Sequence, residues 1–194
     1  MQIEQTEVET EDLFTEIEKW KLIIESDERL VEVAFFKIFV KFENFLIEMF
    51  TKFSTGTQSS EGYIPNRKLE FQSYEHLKNT VTDKGFIDFN NRIESLSQQI
   101  FNDDNPFTFF FASSDMAFYS KMKYLRNFVA HESYESRNSY KNKTLCSQDF
   151  IEPSEFLLKR YKRGTTETNY THFINIVKTY SNQIIGANSQ EGSP

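Results

Sequence analysis

Residues 27–53 read DERLVEVAFFKIFVKFENFLIEMFTKF, and this stretch decides the fold. Polar side chains recur every three or four residues along one stripe, while most of the other positions hold Phe, Ile, Leu or Val. That spacing predicts one long amphipathic helix, which begins at Asp27 because an aspartate is a favoured N-cap. The predicted solvated stripe consists of Lys37, Lys41, Asn44, Glu48 and Lys52.

Shorter helical patterns flank this helix, and polar stretches separate them. The patterns predict helices at about 13–24, 69–81, 86–101, 115–131, 153–164 and 166–185. Loops are expected at 54–66, 102–106 and 132–149. The predicted fold is therefore all-α, an antiparallel bundle of five to seven helices. We expect one domain over 13–185, a frayed acidic N-terminus over 1–12 and a disordered tail over 186–194.

The composition narrows the class of protein. A chain of 194 residues suits one domain, and 21 Phe and 9 Tyr provide for a strongly aromatic core. Cys146 is the single cysteine, which excludes an internal disulfide and fits a reducing compartment. The N-terminus has no signal-peptide pattern, and no run approaches the roughly 20 apolar residues of a membrane span. We therefore expect a cytoplasmic protein without a membrane partner.

Residues 126–131 read RNFVAH and lie at the end of a predicted helix. An arginine binds a phosphate bidentately, and a histidine moves a proton near neutral pH. His131 is rotated by about 100° from Ala130, which shares a face with Arg126. Arg126 and His131 therefore meet one ligand most easily if the helix ends at the histidine. We expect Asn127 to bond backbone groups at that end and fix the turn.

A second interpretation of the same residues stays open. Cations at a helix C-terminus interact favourably with the helix dipole, so Arg126 and His131 are also explained as a structural helix end.

Glu43 is the exceptional residue of the long helix. Its neighbours at three, four and seven positions are apolar: Phe36, Phe39, Val40, Leu46, Ile47 and Phe50. A carboxylate on such a face costs several kcal/mol unless it is paired. The candidate partner is Arg126, which Glu43 would hold towards a phosphate. The alternatives are a purely structural ion pair and a contact with a second chain.

Arg-Asn-x-x-Ala-His at the end of a bundle helix resembles the signature of the HEPN superfamily, in which Arg is followed after four to six residues by His, often with Asn after the Arg. The resemblance covers Arg126, Asn127 and His131 and, more loosely, an all-α layout with a long preceding helix. Some members carry Tyr two places after the His. Here that place is Ser133, and Tyr134 stands one place further on.

The resemblance implies a function and partners. HEPN domains are commonly metal-independent endoribonucleases of toxin–antitoxin, abortive-infection and other defence systems, and they usually act as dimers. It thus implies an endoribonuclease without a cofactor or a metal, a homodimer, and an antitoxin such as a nucleotidyltransferase. A polar residue from an earlier helix often reaches the HEPN site, which is similar to what Glu43 offers. The implied catalytic residues are Arg126, Asn127, His131 and Glu43.

The net charge of −7 hides a gradient that bears on an RNA partner. Residues 1–35 hold eleven acidic and three basic side chains, whereas 115–163 hold ten basic and six acidic ones. A locally basic surface binds RNA with marked salt dependence. The candidate RNA contacts are Lys121, Lys123, Lys159, Arg160, Lys162 and Arg163, with Tyr161 available for stacking on a base. A solvated helix C-terminus explains the run 159–163 almost as well.

The single histidine of the motif leads to a prediction about two chains. Cleavage by the 2'-hydroxyl needs one group that accepts its proton and another that donates to the departing 5'-oxygen. Arg126 would stabilise the charge on the phosphorane. A symmetric dimer supplies the second histidine, so the monomer is expected to be nearly inactive and the products to carry 2',3'-cyclic phosphates.

Two other classes of function remain open. One is a non-catalytic HEPN-like module that binds a partner protein or a nucleotide in the same groove, which the acidic net charge favours. The other is a scaffold in which Arg126 and His131 only cap a helix. His76 and His172 are expected to be structural, and Arg137-Asn138 is discounted because no histidine follows it. The sequence contains no metal-ligand spacing and no phosphate-binding glycine loop.

Overall fold

The computed structural model describes residues 8–81 and 89–186, and within them the regular structure is helical. The nine α-helices of these ranges are α1 (Glu11–Ser26), α2 (Val31–Ser54), α3 (Tyr74–Val81), α4 (Phe89–Ile100), α5 (Pro106–Ala112), α6 (Met116–His131), α7 (Tyr134–Ser139), α8 (Pro153–Leu158) and α9 (Asn169–Ile185). A 3-10 turn (Glu28–Leu30) precedes α2, and a π-helical turn (Tyr140–Thr144) follows α7. The predicted all-α class is confirmed, although nine helices replace the expected five to seven.

The long helix begins and ends close to its predicted limits. The Asp27 carboxylate accepts the Arg29 backbone N–H at 3.2 Å and caps the 3-10 turn, from which α2 continues. Most apolar positions of α2 are buried, although Val33 is exposed and Phe36, Val40 and Ile47 are half-buried. In the predicted stripe, Lys37, Asn44 and Glu48 are exposed, and Lys41 and Lys52 are half-buried. The spacing in the sequence therefore places the buried face of α2 correctly.

Two helices were not predicted: α5, of which only Pro106 falls in the loop expected at 102–106, and α7, which lies within the loop expected at 132–149. Asn105 caps α5, since its Oδ1 accepts the Thr108 N–H at 3.0 Å, and Pro106 takes the first helical position. Ser133 caps α7, since its Oγ accepts the Ser136 N–H at 3.2 Å. The prediction that 132–149 is a loop is thus wrong over α7 and the π-helical turn.

Other predicted boundaries shift. Helix α3 begins at Tyr74 rather than near 69, and α8 ends at Leu158, well before Gly164. The predicted start of α4 near 86 lies outside the described residues, as do 1–7 of the frayed stretch and 187–194 of the tail. Within 8–12 the chain is held in place, because Glu9 accepts the Ser60 N–H at 2.9 Å and pairs with Lys52.

The chain divides into two compact units. The described parts of the first unit are 8–12, 43–81, 89–113 and 179–186, and those of the second unit are 13–42 and 114–178. The first unit has an aromatic core in which the rings of Phe50, Phe101 and Phe107 lie 5.7–5.8 Å apart.

A half-buried arginine supports the loop after α2 in the first unit. Arg67 donates from Nη1 to the Ser54 carbonyl at 3.1 Å. A Cβ added to Gly56, whose φ is +85°, would lie 2.8 Å from the guanidinium of Arg67. Position 56 therefore requires glycine both for its backbone conformation and for the close approach of Arg67.

The second unit is centred on Phe39 of α2. Its ring is stacked between Tyr119 of α6 and Phe173 of α9, with centroid distances of 5.4 and 5.5 Å. On α1, Trp20 donates from its indole Nε1 to Glu16 Oε1 at 2.6 Å. Among the described helices of both units, none combines the length and the apolar character needed to cross a membrane.

Candidate active site

The candidate site lies at the C-terminal end of α6, in the second unit. One face of α6 is buried through Phe118, Tyr119, Met122 and Leu125, which fixes the direction of the helix. The helix ends at His131, because the next residue, Glu132, adopts a left-handed conformation with a φ of 47°. The Glu132 N–H donates to the Phe128 carbonyl at 2.9 Å and closes the last turn. The predicted helix end at the histidine is confirmed.

Arg126 is half-buried and is held from two sides. Its guanidinium carbon lies 5.8 Å from the centre of the Phe39 ring, within the range of a cation–π contact. Its Nη1 donates to Asn127 Oδ1 at 3.0 Å. The expectation that the Asn127 side chain fixes the helix end is therefore wrong: this amide orients the arginine instead.

His131 is exposed at the last position of α6. The following residues are also exposed: the Glu132 and Glu135 carboxylates, and Tyr134, which keeps 77% of its surface accessible. The His131 imidazole and the Tyr134 ring, three residues further along, are thus both accessible to a ligand. The carboxylates of Glu132 and Glu135 are exposed in the same segment.

Aromatic packing supports the last turn of α6. Phe128 stacks on Tyr140 of the π-helical turn with the centroids 5.4 Å apart and the planes 12° from parallel. Burial raises the pKa of Tyr140, as do the nearby charges of Glu152, Glu32 and Glu155, so its hydroxyl stays protonated. That hydroxyl donates to the Ile151 carbonyl at 3.3 Å. The turn that carries His131 therefore rests on a neutral aromatic cluster.

Glu43 is buried, with 7% of its surface exposed, as its apolar neighbours in the sequence predict. It belongs to the first unit and Arg126 to the second, so their pairing stays a prediction. Glu32, on the same line of α2, has a structural role within the second unit, because its Oε1 accepts the Ser154 N–H at 2.8 Å.

The basic run 159–163 is not helical, contrary to its predicted place in a helix that ends at Gly164. It follows α8 and forms a tight turn in which Arg160 makes a β-bridge with Thr168. The Tyr161 N–H donates to the Glu167 carbonyl at 2.9 Å, and Gly164 has a φ of +88°. Backbone hydrogen bonds across this turn thus replace the expected helical ones.

Tyr161 is not available for stacking on a base, contrary to expectation. Its ring is half-buried and stacks on His172 with the centroids 3.5 Å apart, and Phe118 meets it edge-on at 5.1 Å. The Lys162 ammonium lies 4.8 Å from the centre of the same ring. Three neighbours therefore cover the surface that a base would need.

The structure brings only part of the predicted RNA-binding set together. Lys121 and Lys159 line one cavity in the second unit. Lys123 is half-buried, and the remaining members are exposed in the tight turn: Arg160, Lys162 and Arg163.

The other histidines have structural surroundings, as expected. His172 Nδ1 lies 3.4 Å from Glu167 Oε2 within the aromatic cluster of Tyr161. His76 is exposed, and its Nδ1 accepts the Gln72 N–H at 3.3 Å. Arg137, which the sequence led us to discount, lies with its guanidinium carbon 4.3 Å from the centre of the Phe150 ring.

Sequence reasoning missed the exposed ring of Tyr134 and the cavity beside Lys121. The signal for the first was Ser133, a good N-cap that starts α7 and so places Tyr134 in its first turn. In the described parts of the chain, no group of three His, Cys, Asp or Glu side chains is arranged to hold a metal ion. No protein-family model, no curated protein and no solved structure matches the chain.

Proposed function

We propose that this chain is a metal-independent endoribonuclease of the HEPN type, with a HEPN-like bundle and an active site built around Arg126 and His131. One observation carries the proposal: α6 ends at His131, so its exposed imidazole follows, just over one turn later, a guanidinium that Asn127 and Phe39 hold. A proton-transfer group and a phosphate-binding group are thereby fixed at one helix end.

The chemistry follows from these two groups. The 2'-hydroxyl oxygen of the RNA attacks the adjacent phosphorus, and an imidazole accepts the hydroxyl proton. The bond from phosphorus to the 5'-oxygen breaks, and an imidazolium donates a proton to the leaving oxygen. The Arg126 guanidinium stabilises the negative charge on the phosphorane. The products are a 2',3'-cyclic phosphate and a free 5'-hydroxyl.

The number of proton-transfer groups that the reaction needs favours two chains at each site. The end of α6 offers one imidazole per chain, whereas the reaction uses a base and an acid. A symmetric pair of chains with their α6 ends facing each other provides both. Glu43, buried on α2, serves in this proposal to orient Arg126 in the functional complex.

The direct test is RNA cleavage by wild type and by His131→Ala in the presence of EDTA, with analysis of the product ends. Loss of a general acid–base group reduces the rate by about 10²–10⁴-fold, and we expect His131→Ala to fall within that range. His76→Ala is the matched control, because it removes the other exposed histidine and should leave cleavage unchanged. Equal rates for His131→Ala and wild type, or a requirement for a divalent metal, would contradict the proposal.

Mixing chains tests the composite site. Wild type is mixed with a ninefold excess of His131→Ala, and the subunits are allowed to exchange. Only about one wild-type chain in ten then pairs with another wild-type chain, so we expect the activity per wild-type chain to fall by about tenfold. The measurement is initial cleavage rate against mixing ratio at constant wild-type concentration. Activity that stays constant per wild-type chain would show that each chain cuts alone.

A second candidate function is a non-catalytic module that binds a partner protein. The exposed Glu132 and Glu135 carboxylates beside His131 favour it, since they repel a phosphate backbone. Expression of wild type, Arg126→Ala and His131→Ala in a cell distinguishes the two functions. Toxicity that disappears in both variants supports the nuclease, whereas equal tolerance of all three proteins supports the module.

A further inference from the structure

A cavity of about 670 Å³ opens in the second unit, between α6, the segment 144–151 and the end of α8. Its volume lies within the range of small-molecule sites, roughly 300–1,000 Å³. It is distinct from the proposed active site, because neither Arg126 nor His131 lines it.

The wall formed by 144–151 has an irregular but firmly held backbone. It follows the π-helical turn, and two successive non-glycine residues, Cys146 and Ser147, have φ values of 53° and 60°. Such conformations persist only where the surroundings impose them. The Ser147 N–H donates to the Lys141 carbonyl at 3.0 Å, and the Thr144 hydroxyl donates to the Lys121 carbonyl at 2.8 Å. The wall is thus bonded to α6, which gives the cavity a defined shape.

Two cations from different elements meet at this cavity. Lys121 comes from α6 and Lys159 from the residue after α8. Neither forms an ion pair with a described carboxylate. Asp149 is the one carboxylate of the lining, so the lining is positive overall. Two lysines at one cavity suit a doubly charged anion such as a phosphate monoester.

The rest of the lining suits a planar heterocycle. Leu145, Ile151 and Phe156 give an apolar surface on which a ring can pack. Gln148 offers a donor and an acceptor, and the Asp149 carboxylate accepts two N–H groups at once. A ligand that unites a phosphate, a flat ring and adjacent N–H donors is a nucleotide, and guanine has two such donors on one edge.

We propose that this cavity binds a nucleoside monophosphate, with the phosphate at Lys121 and Lys159 and the base against Phe156. The nucleotide is either free or one residue of an RNA strand, since both present the same groups. The inference goes beyond the proposed nuclease, because it requires no chemistry at His131.

The single cysteine of the chain provides the test, because Cys146 lines the cavity and is exposed. We expect GMP at roughly ten times its Kd to slow alkylation of Cys146 by about tenfold, measured by intact mass. Inorganic phosphate or guanosine alone should protect less at the same concentration. An unchanged alkylation rate with GMP, or equal protection by phosphate alone, would overturn the nucleotide site.

Variants assign the protection to the cavity. In the double variant Lys121→Gln, Lys159→Gln the effect of GMP should disappear, whereas Lys143→Gln, an exposed lysine outside the lining, should keep it. Equal protection in the double variant would refute the site, and circular dichroism checks that each variant is folded.

The same assay in His131→Ala separates this inference from the proposed nuclease, because protection there does not depend on cleavage. A short oligoribonucleotide that protects at lower concentration than GMP identifies an RNA strand as the ligand, and the reverse order identifies a free nucleotide. Both orders support the site, and absence of protection by either ligand refutes it.

Discussion

The two units differ in whether certain charged side chains are bonded within the protein or open to a ligand. In the first unit, Glu9 is bonded to Lys52 and Ser60, and Arg67 is bonded to a backbone carbonyl. In the second unit, from α6 onwards, Lys121, Lys159, Arg160 and Arg163 line a cavity or face solvent, without an ion pair to a described carboxylate. Both units have cores rich in aromatic rings, so the difference lies in what surrounds the cores.

This difference separates stability from binding. A buried charge with its hydrogen bonds made contributes to folding and is not available to a ligand. An exposed cation contributes little to folding and is available to a phosphate. The second unit therefore carries Arg126, His131 and the cavity, while Glu9 and Arg67 serve the structure of the first unit.

The largest effect is expected on RNA cleavage, when one arginine of each unit is replaced by alanine. We expect Arg126→Ala to reduce RNA cleavage by about 10²–10³-fold, because a charge-stabilising donor is lost from the transition state. Arg67→Ala should leave cleavage unchanged and lower the free energy of unfolding by about 1–3 kcal/mol, because the Ser54 carbonyl loses its donor. Cleavage assays and urea denaturation of both variants measure these effects. If Arg67→Ala impairs cleavage as strongly as Arg126→Ala, the division of roles between the units is wrong.

A pH dependence is expected from Glu9. Burial acts to raise the pKa of Glu9, but hydrogen bonds from Lys52 and Ser60 outweigh it and hold this pKa below its ordinary value of 4.5. Because the folded pKa is depressed, the stabilisation is complete above the unfolded pKa and is lost as the pH falls through the folded one.

Glu9→Gln tests this dependence. The variant should lower the free energy of unfolding by about 1–3 kcal/mol at pH 7, and its difference from wild type should shrink as the pH falls below 4.5. Urea denaturation across this range measures it. Glu18→Gln removes an exposed carboxylate bonded to Lys178 and should change little. A Glu9→Gln difference that stays constant with pH would contradict the assignment.

The smallest effect contrasts two tyrosines of the second unit. Tyr134 is exposed, so Tyr134→Ala should weaken RNA binding by about 1 kcal/mol, near the lower limit for a stacked base, without changing the melting temperature. Tyr161 is packed on His172, so Tyr161→Ala should lower the melting temperature instead. Filter binding and thermal melts of both variants measure the contrast. Unchanged RNA binding by Tyr134→Ala would show that Tyr134 does not contact the RNA.

The sequence predicts the features that depend on local spacing. The buried face of α2, the burial of Glu43 and the end of α6 at His131 all follow from residues within a few turns of one another. The starts of α5 and α7 could also have been predicted, since Asn105-Pro106 and Ser133 are good helix starts. Their short lengths hid the helical periodicity.

The sequence could not predict features that depend on contacts between distant residues. Tyr161 is covered by His172 and Phe118, which lie far from it in the chain or on another element. Arg126 lies over Phe39, a contact across 87 positions of sequence, and the cavity combines α6 with 144–151 and Lys159. Composition alone made Tyr161 look accessible and gave no indication of a cavity.

Trp20 makes the second unit spectroscopically distinct. It is the one tryptophan of the chain, and it lies on α1 with its indole N–H bonded to Glu16. Emission excited at the red edge of indole absorption therefore reports on that unit alone, whereas circular dichroism sums the helices of both. Superimposable unfolding curves from the two signals would mean that the chain loses its structure in one cooperative step, and separated curves would give each unit its own melting temperature.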